Sequence, residues 1–181
     1  MYRRGRSRRT RADSANRRVM NDAAQFIHTL PRVAGFDGLA IETQQAIARQ
    51  ALRCRYKTGQ VIYLEGEPAE SLCILEEGWV KATRMTREGR EQAMMFLRPV
   101  ELFGDIAVFA GSTYPGTVTA LEAVQVWKIP ARAMLGLIPR YPDLAMAVIH
   151  HLAKRVVHYV NLVEDLSLRS VEARLAHTLL Q

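Results

Sequence analysis

The sequence has 181 residues, with 49% hydrophobic and 24% charged side chains, which is typical of a folded domain with its own core and excludes a disordered or fibrous chain. The longest run of apolar side chains is six residues (144–149), against the roughly 20 that a membrane-spanning helix needs, so no contact with a membrane is expected. Two cysteines, Cys54 and Cys73, are too few for a disulfide framework, a four-thiolate iron–sulfur cluster or a four-cysteine zinc site, and they favour a reducing, cytoplasmic setting.

The formal charge of +7 is concentrated at the N-terminus. Residues 1–18 contain eight arginines and one aspartate, whereas the remaining residues contain 17 basic and 17 acidic side chains. We therefore predict an Arg-rich disordered tail at residues 1–20, followed by a neutral folded part. No apolar stretch follows the arginines, so the tail is not a secretory signal peptide. Its role stays open between a solvated extension and a salt-sensitive contact with an anionic polymer.

The first predicted elements after the tail are two helices. Asn21–Leu30 is expected to end at Pro31, because proline cannot continue a helix that precedes it. Thr43–Leu52 places Ile47 and Ala51 on one face, which is the spacing of a helix with one buried side.

Short β-prone stretches follow between residues 56 and 129. Turn signals separate them at intervals of about 7 to 12 residues, which predicts many short strands in a sandwich or barrel. Side chains alternate along two of these stretches. Val80 and Thr83 are expected on opposite faces of one strand, and Val126 and Trp127 on opposite faces of another.

The last part of the chain is predicted to be helical. Pro130–Ile138 forms one helix, and Pro142 opens a segment without Gly or Pro that continues to at least residue 166. Apolar residues recur in this segment at steps of three and four, the spacing of a coiled coil, which predicts a homodimer; the alternative is a core helix on its own sheet. The predicted dimer seam consists of Ile149, Leu152, Val156, Tyr159, Val163 and Leu166. A second apolar line, which predicts packing on the strands as well, consists of Leu144, Val148, Val157 and Val160.

The order of these elements resembles the CRP/FNR family of bacterial transcription regulators. The stretches that carry the resemblance are Tyr56–Ile62, Leu75–Gly78, Arg87–Glu91, Leu102–Ala107, Thr117–Glu122 and Ser170–Leu180. The resemblance implies a mainly β fold with flanking helices, in which a double-stranded β-helix, a cupin-like jelly-roll barrel, is followed by a long coiled-coil dimerisation helix. It also implies that a DNA-binding helix-turn-helix follows that helix.

The resemblance divides the chain into four parts. After the tail, residues 21–138 are expected to form an effector domain like those that bind cyclic nucleotides, and residues 139–167 the dimerisation helix. Residues 168–181 are expected to be the start of a DNA-binding domain, most of which this sequence does not contain.

The resemblance also implies a cassette of residues for binding a cyclic nucleotide. In family members that bind one, a glycine admits the ligand at a helix start, an acid binds the ribose hydroxyl, and an arginine followed by Ser or Thr neutralises the phosphate. Here Gly104 and Asp105 match, but Tyr114 and Pro115 stand where the arginine and hydroxyl are expected. Cyclic AMP is therefore not the expected effector. The candidate pocket residues are Phe103, Gly104, Asp105, Ile106, Ala107, Tyr114, Pro115, Gly116, Thr117 and Tyr159.

The identity of the effector stays open. The cysteine count argues against an iron–sulfur cluster, whereas haem or a small metabolite is compatible with the composition. Candidate axial ligands for haem are Cys54, Cys73, His28, His150, His151, His158, Met94 and Met95. Each has a simpler interpretation: Cys73 as a small buried hydrophobe, residues 94–97 as a core strand, and the histidines as solvated or interfacial residues beside the dimer seam.

An enzyme is not expected. No histidine occurs between Pro31 and Ile149, so the strands cannot supply the imidazole ligands of a cupin-type metal enzyme. The sequence therefore predicts the effector-sensing and dimerisation region of a DNA-binding transcription regulator. Two alternatives stay open: a stand-alone dimeric interaction module with a basic tail that contacts nucleic acid, and a regulatory cyclic-nucleotide domain of a larger signalling protein.

Overall fold

The computed structural model of the protein describes residues 22–168, with side-chain environments up to residue 164. The predictions for the tail, for the seam side chain of Leu166 and for residues 169–181 lie outside this description. The helices are α1 (residues 22–29), α2 (Ile41–Ala48), α3 (Asp105–Ala110), α4 (Ala131–Leu137) and α5 (Pro142–Leu168), with 3₁₀ turns at Leu30–Arg32 and Ile138–Arg140. The strands are β1 (Leu52–Tyr56), β2 (Val61–Tyr63), β3 (Ser71–Glu77), β4 (Val80–Met85), β5 (Glu91–Leu97), β6 (Leu102–Phe103), β7 (Thr117–Ala120) and β8 (Val124–Pro130).

The eight strands form two antiparallel four-stranded sheets. Their orders are β1-β8-β3-β6 and β2-β7-β4-β5, and the two sheets face each other across an apolar core that includes Leu75, Val80 and Val126. The closed barrel expected from the resemblance is therefore wrong for the described residues. Each sheet keeps two edge strands, because no strand ladder joins one sheet to the other.

A second core lies on the opposite face of the β1-β8-β3-β6 sheet, where the helices cover it. Trp127 is fully buried there, and its ring and that of Phe26 from α1 form a T-shaped pair with a centroid distance of 5.3 Å. Leu144 from α5 and Ile47 from α2 also belong to this cluster. Alternation predicts that Trp127 and Val126 lie on opposite faces of β8. Both faces are buried, because the helices cover the face with Trp127 and the second sheet covers the face with Val126.

Several element boundaries differ from the predictions. The second helix ends at Ala48, and Leu52 instead begins β1, where it pairs with Lys128 of β8. The first helix continues through Pro31 as a 3₁₀ turn, since proline fits the first positions of such a turn. Thr83 is buried, against the alternation from Val80, because the register of β4 against β5 shifts at this position.

Residues 94–97 are only partly a core strand, so this prediction was wrong in part. Leu97 is buried, but Met94 and Phe96 are 52% and 60% exposed. The reason is that β5 is the edge strand of its sheet, and one of its faces is not covered by the described residues.

The long helix α5 has two parts with different surroundings. Its N-terminal part is held by Asp143, whose carboxylate accepts hydrogen bonds from the Ala40 backbone and the Thr43 hydroxyl, both at 2.9 Å. This part buries Leu144 and Val148, as the second apolar line predicts. The other two members of that line, Val157 and Val160, are 59% and 58% exposed, so they do not pack on the strands. None of the helices that the structure describes is long and apolar enough to cross a membrane.

Candidate effector site

The cassette helix α3 begins at a glycine in the left-handed region. Gly104 has φ 76°, and a β-carbon built on it would lie 3.2 Å from both the Ser71 carbonyl oxygen and the Tyr114 ring. A side chain at this position would therefore require both the strained backbone and a shift of its neighbours. Gly104 allows β6 to turn directly into α3, which places Asp105 in the interior.

Tyr114 occupies the position that the resemblance assigns to the phosphate-binding arginine. Its hydroxyl donates to the Ser71 carbonyl oxygen at 2.6 Å and accepts from the Ser71 N–H at 3.1 Å. Its ring stacks on Tyr63 at 3.8 Å between centroids with 11° between planes. Burial raises the pKa of Tyr63, which therefore remains a neutral phenol. Both aromatic rings are thus part of the packed interior, and position 114 contributes no positive charge to the site.

Asp105 is 1% exposed and is the centre of an ionic cluster with α5. Its carboxylate accepts hydrogen bonds from Arg155 Nη1 at 2.9 and 3.1 Å, and its Oδ2 lies 3.0 Å from His151 Nε2. His151 Nδ1 lies 3.0 Å from the Ala34 carbonyl oxygen, so both ring nitrogens face acceptors. Arg155 also donates through Nη2 to the Tyr159 hydroxyl at 2.9 Å. The cluster joins α3 to α5. In it Arg155 balances the negative charge of Asp105, the acidic residue of the candidate pocket.

Sequence reasoning missed the main partners of Asp105. Arg155 was not a candidate, and His151 was assigned a solvated or interfacial position, which is wrong because it is only 7% exposed and faces the cassette. His151, Arg155 and Tyr159 follow one another at steps of four residues, so they share one face of the helix. These three polar groups on one helix face, which meets the predicted apolar seam at Tyr159, are the signal that could have identified them.

A cavity of about 100 Å³ lies between α3, β4, β5 and α5. Its wall is largely apolar and includes Ala82, Met94, Met95, Leu102 and Val118. Its charged lining residues among those described are Asp105 and Arg155, which are paired with each other. The cavity is therefore close to neutral.

Comparison with known proteins agrees with this architecture. The family model of the cyclic nucleotide-binding domain matches residues 53–141. The CRP-like cAMP-activated global transcriptional regulator of Mycobacterium tuberculosis is 27% identical over 152 residues, which cover 84% of this chain and 68% of that protein. The global nitrogen regulator of Synechococcus elongatus is 27% identical over 128 residues, which cover 70% of this chain and 58% of that protein. The crystal structure of the sensor domain of the transcriptional regulator DNR from Pseudomonas aeruginosa has a TM-score of 0.67 at 24% identity, covering 81% of this chain and 98% of that domain.

The chain carries a CRP/FNR-like sensor domain. It spans 68% and 58% of the length of the two regulators named above. The Mycobacterium protein is a transcriptional regulator by name and the Synechococcus protein a nitrogen regulator, and the expectation of a regulator rather than an enzyme is consistent with them.

The structure brings most of the candidate pocket residues of the sensor domain together. Eight of the ten line the cavity: Phe103, Gly104, Asp105, Ile106, Ala107, Pro115, Gly116 and Tyr159. Tyr114 instead lies in a neighbouring polar cleft, where Glu67, Glu70 and Lys128 also lie. The Thr117 hydroxyl accepts a hydrogen bond from the Glu65 N–H at 3.0 Å and does not line the cavity.

The haem-ligand candidates do not assemble around the cavity. Met94 and Met95 line it, but no histidine or cysteine of the described residues does. Within residues 22–168, no three His, Cys, Asp or Glu side chains are grouped so that they could hold a metal ion.

Cys73 is fully buried between the two sheets, which confirms its interpretation as a small core residue. Burial raises the pKa of its thiol to about 12, so the nucleophilic thiolate is scarce at neutral pH. Cys54 is partly exposed. We expect iodoacetamide at pH 7.5 to alkylate Cys54 in the native protein and Cys73 only after unfolding in guanidinium, as measured by peptide mass spectrometry. Equal native labelling of both cysteines would contradict the buried position of Cys73.

Proposed function

We propose that this chain is the effector-sensing and dimerisation region of a CRP/FNR-like transcription regulator that does not respond to cyclic AMP. In this proposal the effector occupies the cavity beside α3, and α5 transmits its presence. Two copies of α5 pair to form a homodimer, and DNA is bound by a module that follows α5. The region has no catalytic role and acts in the cytoplasm.

The observation that carries the proposal is the position of Tyr114. A cyclic phosphate would meet a neutral side chain at this position, because the Tyr114 hydroxyl is bonded to both Ser71 backbone groups and the ring stacks on Tyr63. It would also lack the charged hydrogen bond of an arginine, which contributes roughly 1.5–3 kcal/mol. The ribose would compete with Arg155 and His151 for Asp105.

The role of α5 as a transmitter is supported by its two sets of contacts. Its N-terminal part is packed into the helical core through Leu144 and Val148, and its middle reaches the cassette through Arg155. A change at α3 therefore acts directly on the helix that is proposed to pair with a second copy.

Calorimetry tests the exclusion of cyclic AMP. We expect no binding heat when about 100 μM cyclic AMP is titrated into the protein, because Tyr114 offers the phosphate no charge, Arg155 is paired with Asp105, and Asp105 is thereby not free for the ribose. A thermal melt with and without the nucleotide serves as a second measurement, since a bound ligand raises the melting temperature. Micromolar binding accompanied by a rise in melting temperature would overturn this part of the proposal.

A second candidate function is an interaction module whose tail binds nucleic acid directly. It is favoured by the eight arginines among residues 1–18. It predicts that replacing these eight arginines by glutamine, which keeps the length of the tail, abolishes binding to a random-sequence duplex in fluorescence anisotropy. Under the sensor proposal, the same replacement leaves sequence-specific recognition by the complete regulator unchanged. Loss of specific recognition would favour the interaction module.

A further inference from the structure

We propose that the cavity beside Arg155 binds a small, neutral, mostly apolar molecule of about the size of one aromatic ring. This inference rests on the proposed function, because it names the class of effector that the sensor would detect. It follows from three properties of the cavity: its lining, its charge balance and its size.

The lining is apolar on most sides. Met94 and Met95 from β5 and Ala82 from β4 form one wall, and Ile106 and Ala107 from α3 form another. Methionine side chains are flexible and polarizable, so they adapt to apolar ligands of different shape. A ligand with several polar groups would lose hydrogen bonds to water against these walls.

The charge balance excludes ionic ligands. Asp105 and Arg155 are held together by two hydrogen bonds from Nη1, and Arg155 Nη2 is taken by the Tyr159 hydroxyl. An anion would have to compete with Asp105 for the guanidinium. A cation would have to compete with both Arg155 and His151 for the carboxylate. A neutral ligand leaves this cluster intact.

The size of the cavity indicates how much of a ligand can be buried in it. The cavity volume of about 100 Å³ is somewhat below that of an engineered apolar cavity of about 150 Å³, which stays dry and binds benzene. A single ring or a short alkyl chain fills this space. Because so few apolar groups are buried, we expect a dissociation constant of roughly 0.1–1 mM for such a ligand.

Methyl NMR of the full chain, labelled at the methionine methyl carbons, tests the inference with toluene as the probe. Met94 and Met95 report on the cavity, and Met146, 49% exposed on α5, reports on unspecific binding to the helix surface. We expect saturable shifts of the Met94 and Met95 signals with toluene and none at Met146. Benzoate and benzylammonium carry the same ring with a negative and a positive charge, and we expect both to bind at least about tenfold more weakly.

Two variants fill the cavity, and one is a matched control. Ala82→Leu and Ala107→Leu each add a larger side chain to the lining, and either one that retains its thermal transition is informative. Ala123→Leu makes the same change at an exposed turn position. We expect the toluene shifts to disappear in the cavity variants and to persist in Ala123→Leu.

The possible results separate this inference from the proposed function. No shift with toluene, equal shifts at Met146, equal affinity for benzoate, or binding that survives in a folded cavity variant would overturn the ligand class and leave the sensor proposal standing. Binding of cyclic AMP would instead overturn the proposed exclusion of nucleotides, whatever the result with toluene.

Discussion

Replacing Val156 and Val163 by aspartate is expected to convert the protein from a dimer into a monomer. Both side chains are 60% exposed on α5, in line with Ile149, which is 56% exposed, at the spacing of a coiled-coil seam. Valine side chains contribute about 1.5–3 kcal/mol each when they are fully buried, and a dimer would bury four of them. The substitution removes this burial and adds four carboxylates to one seam, so we expect at least about a hundredfold weaker association.

Multi-angle light scattering measures the outcome. We expect twice the chain mass of 20.4 kDa for the unmodified protein and the single mass for Val156→Asp/Val163→Asp. The matched control is Lys154→Asp/Asn161→Asp, which adds acidic residues to the opposite face of the same helix and should remain dimeric. Tyr159 is left unchanged, because its hydroxyl bonds to Arg155 at the cavity. A seam variant that stays dimeric, or an unmodified protein that is monomeric, would contradict the proposed homodimer.

Replacing Asp105 by alanine is expected to lower the free energy of unfolding by about 3–5 kcal/mol, the usual effect of removing one partner of a buried ion pair. Asp105 is 1% exposed, and its loss leaves the Arg155 guanidinium and the His151 ring facing a site without an acceptor. For a chain of this length, the corresponding fall in melting temperature is roughly 6–20 °C. Calorimetric melting at pH 7 measures it.

Two further variants separate charge from packing at Asp105. Asp37→Ala removes an exposed carboxylate and should change stability by no more than about 0.5 kcal/mol. Asp105→Leu combined with Arg155→Met replaces the ion pair by apolar groups, and we expect it to recover most of the lost stability. If Asp105→Ala melts within 2 °C of the unmodified protein, roughly the size of a 1 kcal/mol effect, the cluster does not hold α3 against α5.

Part of the fold and of the site could be predicted from local sequence patterns. Steps of three and four residues predict the long helix, and turn signals predict a strand-rich region, because both depend on the backbone period of nearby residues. The sequence also shows Tyr114, and no arginine, at the position to which the family resemblance assigns the phosphate contact.

Contacts between distant segments could not be predicted in this way. Tyr114 bonds to Ser71 across 43 residues, and Asp105 meets His151 across 46 and Arg155 across 50. No period relates such positions, so their meeting depends on how the sheets and helices stack.

The sequence by itself determined which side chains share a helix face and which charges the cassette lacks, because residue identity and spacing contain that information. Only the tertiary structure decided what covers each face. Trp127 is buried because helices pack on the outer side of its sheet, and Asp105 is neutralised because α5 crosses the cassette. The physical reason is that periodicity orients a side chain relative to its own backbone, whereas burial and ion pairing depend on which element lies opposite.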